Sequence, residues 1–138
     1  MAEVLARDLA RRAALHATIM FASAGVAVSP AGGPADPRAC ACVARRGLDL
    51  GAHRARMAEA AIVAGAARVF ALDRGVRDDL RRHAPHARID LLMGLVPRLG
   101  LADVADPWGG TADDYETAFG LIAAAVAGLI AGLRRDDV

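Results

Sequence analysis

Apolar runs of strand length alternate along this chain with segments of helical periodicity. The predicted strands cover residues 18–28, 67–72 and 87–93, and the predicted helices cover residues 3–17, 37–46, 73–84 and 113–133. Strands separated by helices form right-handed βαβ units, because such a crossover packs its helix onto the sheet. We therefore predict an α/β fold around a parallel sheet, in a single domain over residues 1–138.

One predicted helix has clear ends. Asp36 is expected to be its N-cap, and Pro37 suits the first helical position, where no N–H is needed. Gly47 is expected to end the helix in the left-handed conformation. Cys40 and Cys42 lie two residues apart on this helix, so their side chains point about 200° apart and cannot form a disulfide or share a metal. Both are interpreted as small core residues.

The charge of the chain is nearly balanced, with 17 basic and 16 acidic residues and a formal net charge of +1. Such a balance predicts no nucleic-acid partner. The charged N-terminal segment does not suit a signal peptide. The apolar run at 118–133 is shorter than the roughly 20 residues that span a bilayer, so it is interpreted as a buried helix. We expect a cytoplasmic protein without membrane contact.

Two histidines, His83 and His86, flank Pro85 in a polar turn. No acidic or cysteine ligand is obvious near them in the sequence, so they are interpreted as surface residues. We predict no metal site and no cofactor.

Seven segments spread over the whole chain carry a family resemblance. They are Met1-Ala2-Glu3, Ser23-Ala24-Gly25, residues 33–39, residues 47–56, residues 70–73, Asp79-Leu80-Arg81 and residues 103–109. None is specific alone, but their order and spacing resemble the low-molecular-weight protein tyrosine phosphatase family. The third segment is similar to the family's Pro-x-Asp-Pro-Arg turn, and the last to its Asp-Val-x-Asp-Pro-Tyr loop. The resemblance implies a three-layer fold, with helices on both faces of a parallel sheet.

The resemblance also implies hydrolysis of phosphate monoesters, with phosphotyrosine proteins or small aryl phosphates as substrates. In the family, a Cys-x5-Arg-Ser loop between the first strand and the first helix binds phosphate through backbone N–H groups and its arginine. The thiolate of its cysteine attacks phosphorus. An aspartic acid from a distant loop protonates the leaving phenolate and then activates water.

The family's functional positions correspond to a few residues of this chain. Asp106 corresponds to the general acid; the residues alone favour an ordinary Asp-Pro turn, and the matches around them favour the acid. Trp108 replaces a tyrosine and would either stack on the substrate ring or belong to the core. Ser23 corresponds to a serine that holds the phosphate loop, or simply ends a strand. His53 and Asp73 correspond to supporting positions, but a buried histidine and a helix N-cap are the simpler interpretations.

The aromatic surroundings of the expected site are reduced relative to the family. Gly109 stands where the family has a second tyrosine, and Ser29 stands where it often has a tryptophan. Selectivity for phosphotyrosine is therefore an open question at the level of sequence.

The chain departs from the family at its front, because it opens on a helix where the fold begins with a strand and the Cys-x5-Arg loop. We expect both elements to be missing through a start codon placed too late, so that the natural protein is longer. Cys40 and Cys42 are not expected to replace the loop, since they lie within a helix. Loss of a strand from inside the sheet is expected to expose apolar strand faces.

Two other functions are compatible with the sequence. A non-catalytic relative would bind or regulate phosphoproteins without hydrolysing them. An arsenate reductase shares the fold but needs additional redox cysteines, and residues 69–80 contain none. We rank the arsenate reductase below the other two functions.

Overall fold

The computed structural model describes residues 1–136, which form five α-helices and two β-strands. The helices are α1 (Ala2–Arg12), α2 (Pro37–Ala44), α3 (Ala60–Ala64), α4 (Arg74–His83) and α5 (Ala112–Asp136). The strands are β1 (Val69–Ala71) and β2 (Ile89–Leu91). Two short 3₁₀ turns, Leu92–Leu95 and Pro97–Leu99, lie between β2 and the long loop that precedes α5.

The two strands pair in parallel, as the alternating pattern predicts. Val69 lies opposite Ile89, and Ala71 lies opposite Leu91. Helix α4 connects them, so β1, α4 and β2 form one βαβ unit. The side chains of Ala71, Leu80 and Ile89 are buried together between the strands and α4. The prediction of an α/β fold around a parallel sheet is confirmed.

The prediction of a strand over residues 18–28 is wrong, because the described structure has no strand in this segment. This segment makes only a single parallel bridge, from Gly25 to Met57. A strand needs a neighbour along its length to pair its N–H and C=O groups, and within residues 1–136 none lies beside residues 18–24. Met20, in the middle of this segment, is 95% exposed.

Helix α1 is shorter than the predicted helix over residues 3–17. Its last helical residue is Arg12, and the chain then turns through Ala14 with φ of 61°. The N–H of Leu15 reaches back to the carbonyl of Ala10 at 2.9 Å and closes the end of the helix. A residue with positive φ at the end of a helix is usually glycine. Because Ala14 occupies this position, the sequence did not predict that the helix ends here.

The ends of α2 match the prediction from local residue chemistry. The Asp36 carboxylate accepts the N–H of Arg38 at 2.8 Å, and Pro37 begins the helix. Gly47 follows the helix with φ of 70°. Cys42 is fully buried, and Cys40 is half-buried.

Helix α5 is the central element of the larger hydrophobic core. It packs against α1, α2 and the 3₁₀ turn at Leu92–Leu95. Its length and apolar composition alone would also suit a membrane span, the only such helix in the part of the chain that the structure describes. Its buried side chains nonetheless recur at helical spacing towards the protein interior, which is typical of a core helix. They are Tyr115, Ala118, Phe119, Ile122, Ala125, Val126 and Ile130.

Candidate active site

An open cleft of about 790 Å³ lies along α1. Its walls come from α1, from residues 19–23 and from residues 49–56. Two residues predicted for the site, Ser23 and His53, line this cleft. The structure therefore brings together two positions that are 30 residues apart in the sequence.

Ser23 is held by side chains of α1. Its hydroxyl donates a hydrogen bond to the Glu3 carboxylate. Glu3 is also paired with Arg7 at 2.7 Å, and the Arg7 Nε donates to the carbonyl of Phe21 at 3.0 Å. The segment that contains Ser23 is thus fixed to α1 by side-chain contacts in place of a strand ladder.

A second arginine fixes Ser23 from the other wall of the cleft. The Nε of Arg56 donates to the Ser23 carbonyl at 2.9 Å. The main chain of Arg56 accepts the N–H of Gly25 at 2.9 Å. Sequence reasoning missed Glu3, Arg7 and Arg56 as supporting residues; only the i,i+4 spacing of Glu3 and Arg7 gave a usable signal.

His53 contributes its half-buried side chain to the cleft wall. Its main-chain N–H donates to the carbonyl of Leu50 at 3.0 Å, which closes a turn. Its ring makes no hydrogen bond with the residues that the structure describes. The supporting role of His53 stays a prediction.

Asp73 is the N-cap of α4, and its carboxylate accepts the N–H of Val76 at 2.7 Å. This is the simpler of the two interpretations that the sequence offered. Capping satisfies one of the free N–H groups at the start of a helix, so the residue is needed for local structure.

Asp106 lies exposed in the long loop before α5. Its carboxylate accepts the N–H of Trp108 at 3.0 Å, and the N–H of Gly110 donates to the carbonyl of Pro107 at 2.9 Å. The two bonds fold residues 106–110 into a tight turn, completed by Gly109 with φ of 77°. We call residues 105–110 the Asp106 loop.

Trp108 is 79% exposed, so it is not a core residue. This excludes the structural alternative that its identity as the only tryptophan suggested. A large aromatic ring held in solvent on a tight turn is typical of a contact residue.

The Asp106 loop is fastened at both ends. Before it, the N–H of Val104 donates to the carbonyl of Leu72 at 2.8 Å. After it, the Asp114 carboxylate accepts the N–H of Thr111 at 2.6 Å and its hydroxyl at 2.8 Å. The Thr111 hydroxyl in turn accepts the N–H of Asp114, which forms a reciprocal cap at the start of α5.

Asp106 does not belong to the wall of the Ser23 cleft. It lines a separate hollow of about 190 Å³ together with Pro107, Gly110, Asp114 and Thr117. The structure therefore presents the predicted site residues as two groups, Ser23 with His53 and Asp106 with Trp108.

A Cys-x5-Arg match is present within this sequence, because Arg46 follows Cys40 at the required spacing. Sequence reasoning overlooked this match. The structure shows that it cannot bind phosphate, since the Cys40 N–H already donates to the Asp36 carbonyl at 3.0 Å within α2. The Arg46 guanidinium is bound to the Cys42 carbonyl at 2.8 Å and to Glu116 at 2.6 Å.

The sequence matches one protein family over its whole length. Residues 1–138 match the family described as low molecular weight phosphotyrosine protein phosphatase. A low molecular weight protein-tyrosine-phosphatase of Streptomyces coelicolor is 35% identical over 140 residues, which are 97% of this chain and 85% of the relative.

Solved structures of related proteins share the fold. YfkJ from Bacillus subtilis superposes with a TM-score of 0.91 at 26% identity, over 99% of this chain and 87% of YfkJ. The arginine phosphatase YwlE superposes with a TM-score of 0.87 at 25% identity, over 98% of this chain and 87% of YwlE. Fold and loop geometry together thus define an α/β protein with a phosphatase scaffold. The chain belongs to the low molecular weight phosphotyrosine protein phosphatase family.

Proposed function

We propose that this protein hydrolyses phosphate monoesters of the phosphotyrosine type, with Asp106 as the general acid. The observation that carries the proposal is the Asp106 loop, which holds an exposed carboxylate and an exposed aromatic ring on one turn fastened at both ends. A proton donor must be held at a fixed place to act in a transition state, and this loop provides such a place.

The proposed reaction has two steps. A cysteine thiolate attacks phosphorus and the bond to the phenolate oxygen breaks, while the protonated Asp106 gives its proton to that oxygen. Water then attacks the phosphocysteine, the Asp106 carboxylate takes a proton from the water, and the thiolate departs with phosphate released.

Trp108 is proposed to contact the aromatic part of the substrate. Its main-chain N–H donates to the Asp106 carboxylate, so the turn that carries the ring also holds the acid. An offset-stacked pair of aromatic rings contributes about 0.5–1.5 kcal/mol. The phosphotyrosine ring would thereby be placed beside the group that protonates its oxygen.

Ser23, His53 and Asp73 are proposed to act as supporting residues. Ser23 and His53 line the cleft along α1. By resemblance, the family's phosphate loop lies directly before this helix. Asp73 acts at a distance, because it caps the helix that follows β1. None of the three is proposed to touch the transferred phosphoryl group.

Cys40 and Arg46 are not proposed to supply the nucleophile and the phosphate-binding arginine. The Cys40 N–H is bonded within α2, and the Arg46 guanidinium, beyond the end of α2, is bound to the Cys42 carbonyl and to Glu116. The proposed reaction takes its nucleophile from a Cys-x5-Arg-Ser loop, the element that the family places ahead of its first helix. That loop would occupy the cleft beside Ser23 and bind phosphate at the N-terminus of α1.

The experiment adds this segment. The chain is produced with an apolar strand and a Cys-x5-Arg-Ser loop before Met1, and p-nitrophenyl phosphate, phosphotyrosine and phosphoarginine are offered as substrates. We expect the extended chain to hydrolyse the aryl phosphates. The matched controls, which are the same segment with serine in place of its cysteine and the chain without the segment, are expected to be inactive.

The outcomes separate the alternatives. A folded extended chain that turns over no phosphate ester would refute the proposal in favour of a non-catalytic relative. Preferred hydrolysis of phosphoarginine, the type of activity named for YwlE, would replace the phosphotyrosine class. Turnover by the unextended chain would show that the nucleophile lies within these residues.

The setting of the protein is proposed from its chemistry. Both cysteines are free thiols, which suits a reducing compartment, and we propose the cytoplasm. The proposed partner is a phosphotyrosine protein or a small aryl phosphate, with neither nucleic acid nor a membrane involved.

A further inference from the structure

Arg38, the second residue of α2, is held in one geometry by Asp36. The Asp36 carboxylate accepts the Nε of Arg38 at 3.0 Å and its Nη2 at 2.9 Å. The same carboxylate accepts the main-chain N–H of Arg38 at 2.8 Å. The guanidinium is planar, so two hydrogen bonds to one carboxylate fix its orientation. The position of the remaining nitrogen, Nη1, is therefore also fixed.

The Nη1 of Arg38 contacts the Asp106 loop. It donates to the carbonyl of Gly110 at 2.5 Å, across 72 residues of sequence. The N–H of Gly110 donates to Pro107, the neighbour of Asp106. Two consecutive hydrogen bonds therefore connect the guanidinium to the peptide that carries the acid.

The ring of a buried tyrosine, Tyr115, packs against the Arg38 guanidinium. The Arg38 Cζ lies 5.4 Å from the centroid of the Tyr115 ring, within the range of a cation–π contact. Tyr115 is 3% exposed and belongs to the core face of α5. The arginine thus has a rigid platform, which a solvent-exposed side chain usually lacks.

We propose that Arg38 is a positioning residue for the Asp106 loop, and that its bond to Gly110 fixes where Asp106 and Trp108 stand. The inference rests on the proposed function insofar as Asp106 is the acid. Arg38 does not touch substrate; it acts through the loop. The Asp36-Pro37-Arg38 turn and the Asp106 loop, which are distant in sequence, then form one structural unit.

The charges of Asp36 and Arg38 keep their contact intact at neutral pH. Hydrogen bonds from Arg38, with a smaller contribution from Tyr115, lower the pKa of Asp36 to about 2. Asp36 is therefore ionised at neutral pH and remains bound to the guanidinium. A lysine in place of Arg38 offers a single ammonium, which cannot bond Asp36 and the Gly110 carbonyl in the same geometry.

The first experiment uses the chain as it stands, with its only tryptophan as the reporter of the loop. Time-resolved fluorescence anisotropy of Trp108 is compared between the parent chain, Arg38→Met and Arg38→Lys. We expect both variants to increase the nanosecond component of depolarisation, because the loop loses an anchor. Arg45→Met is the matched control, since Arg45 is an exposed arginine at the opposite end of α2 that pairs with Glu116 and, among the residues that the structure describes, makes no hydrogen bond or ion pair with the Asp106 loop.

The second experiment measures steady-state kinetics in the chain that carries the added Cys-x5-Arg-Ser segment. A misplaced acid lowers kcat by about 10²-fold for phenyl phosphate, whose leaving group needs a proton, with KM changed much less. Arg45→Met is expected to leave kcat unchanged. Circular dichroism shows whether each variant keeps its helices.

The outcomes separate the positioning role of Arg38 from the proposed function. If the anisotropy of Arg38→Met equals that of Arg45→Met, or if Arg38→Lys behaves as the parent, the positioning role is wrong. If the variants loosen Trp108 but the extended parent is inactive, the anchoring of the loop stands and the proposed function fails. If the loop loosens and kcat is unchanged in an active enzyme, the catalytic consequence of the anchor is refuted.

Discussion

The Asp103 carboxylate accepts three N–H groups of Arg74, although the two residues are 29 positions apart. The main-chain N–H of Arg74 donates at 2.9 Å, its Nε at 3.0 Å and its Nη2 at 2.8 Å. The contact ties the long loop to the first turn of α4, directly after the N-cap Asp73. Since Val104 bonds Leu72 beside it, the approach to the Asp106 loop is fixed to the end of β1.

This contact predicts a pH-dependent loss of stability. Hydrogen bonds from Arg74 lower the pKa of Asp103 below its ordinary 3.8. A carboxyl group with a lowered pKa in the folded state stabilises the fold above its unfolded pKa, and this contribution is lost as the pH falls through the folded value. Asp103→Asn should therefore lower the thermal midpoint by a few degrees at pH 7, and the difference from the parent should shrink as the pH falls below the ordinary 3.8 of the Asp103 carboxyl.

Thermal unfolding followed by circular dichroism at pH 7, 5 and 3 measures this effect. Glu59→Gln is the control, because Glu59 is an exposed carboxylate that makes no capping bond through its side chain. A constant difference between Asp103→Asn and the parent at all three pH values would contradict the assignment to Arg74.

Two glycines are predicted to respond in opposite directions to the same change. Gly47 has φ of 70° with no atom within 4 Å of an added Cβ, so Gly47→Ala suffers only from its backbone conformation. We expect it to lower the free energy of unfolding by roughly 1–2 kcal/mol. Gly120 is an exposed residue inside α5 with equal space, so Gly120→Ala should raise the free energy of unfolding by about 0.5–1 kcal/mol.

Urea unfolding of the two alanine variants measures both values. Gly47→Asn serves as a further variant, because asparagine tolerates the left-handed region better than alanine, and it should lose less stability. Equal effects of Gly47→Ala and Gly120→Ala would show that the left-handed cap after α2 is not maintained in solution.

The elements that could be predicted from the sequence are those whose causes are local. Asp36, Pro37 and Gly47 define α2 because a cap, a first-turn proline and a left-handed glycine each act within a few residues. The strand over residues 18–28 failed because a strand depends on a partner elsewhere in the chain, and the composition of the segment gives no information about that partner.

The candidate site divides in the same way. Asp106 and Trp108 were predicted as site residues because the Asp-Pro loop resembles a family motif, but the contact between Arg38 and this loop was not predicted. Its partner Gly110 contributes a backbone carbonyl, and any residue could supply one at that position. Contacts made through the main chain over 72 residues leave no pattern in a single sequence.

Trp108 is predicted to affect substrate binding and not stability. Because its side chain is 79% exposed, Trp108→Ala removes little buried surface, and the thermal midpoint should stay within error of the parent. Loss of aromatic stacking should raise KM for an aryl phosphate roughly 2- to 10-fold in the extended chain. Trp108→Phe keeps an aromatic ring, so its KM should lie close to the parent value. A KM as high as that of Trp108→Ala would argue against stacking.

Asp106→Asn is predicted to separate substrates by their leaving groups. Asparagine keeps the shape of the side chain and can still accept the Trp108 N–H at the position of Oδ1, so the turn should persist. It cannot donate a carboxylic proton to a departing phenolate. In the extended chain, we expect kcat for phenyl phosphate to fall about 10²-fold or more. The fall should be much smaller for p-nitrophenyl phosphate, because its more acidic leaving group departs without protonation.

The control for this prediction is Asp113→Asn, an exposed aspartate in the first turn of α5, which should leave both rates near the parent values. The ratio of the two rates is the informative measurement, since a variant that merely unfolds loses both activities together. An equal fall for the two substrates would assign Asp106 to the structure of the loop and remove it from proton transfer. Because Asp106→Asn leaves the Gly110 carbonyl and its bond to Arg38 untouched, Trp108 anisotropy should remain at the parent value. Loss of phenyl phosphate turnover with an immobile Trp108 would therefore place the proton on Asp106 itself.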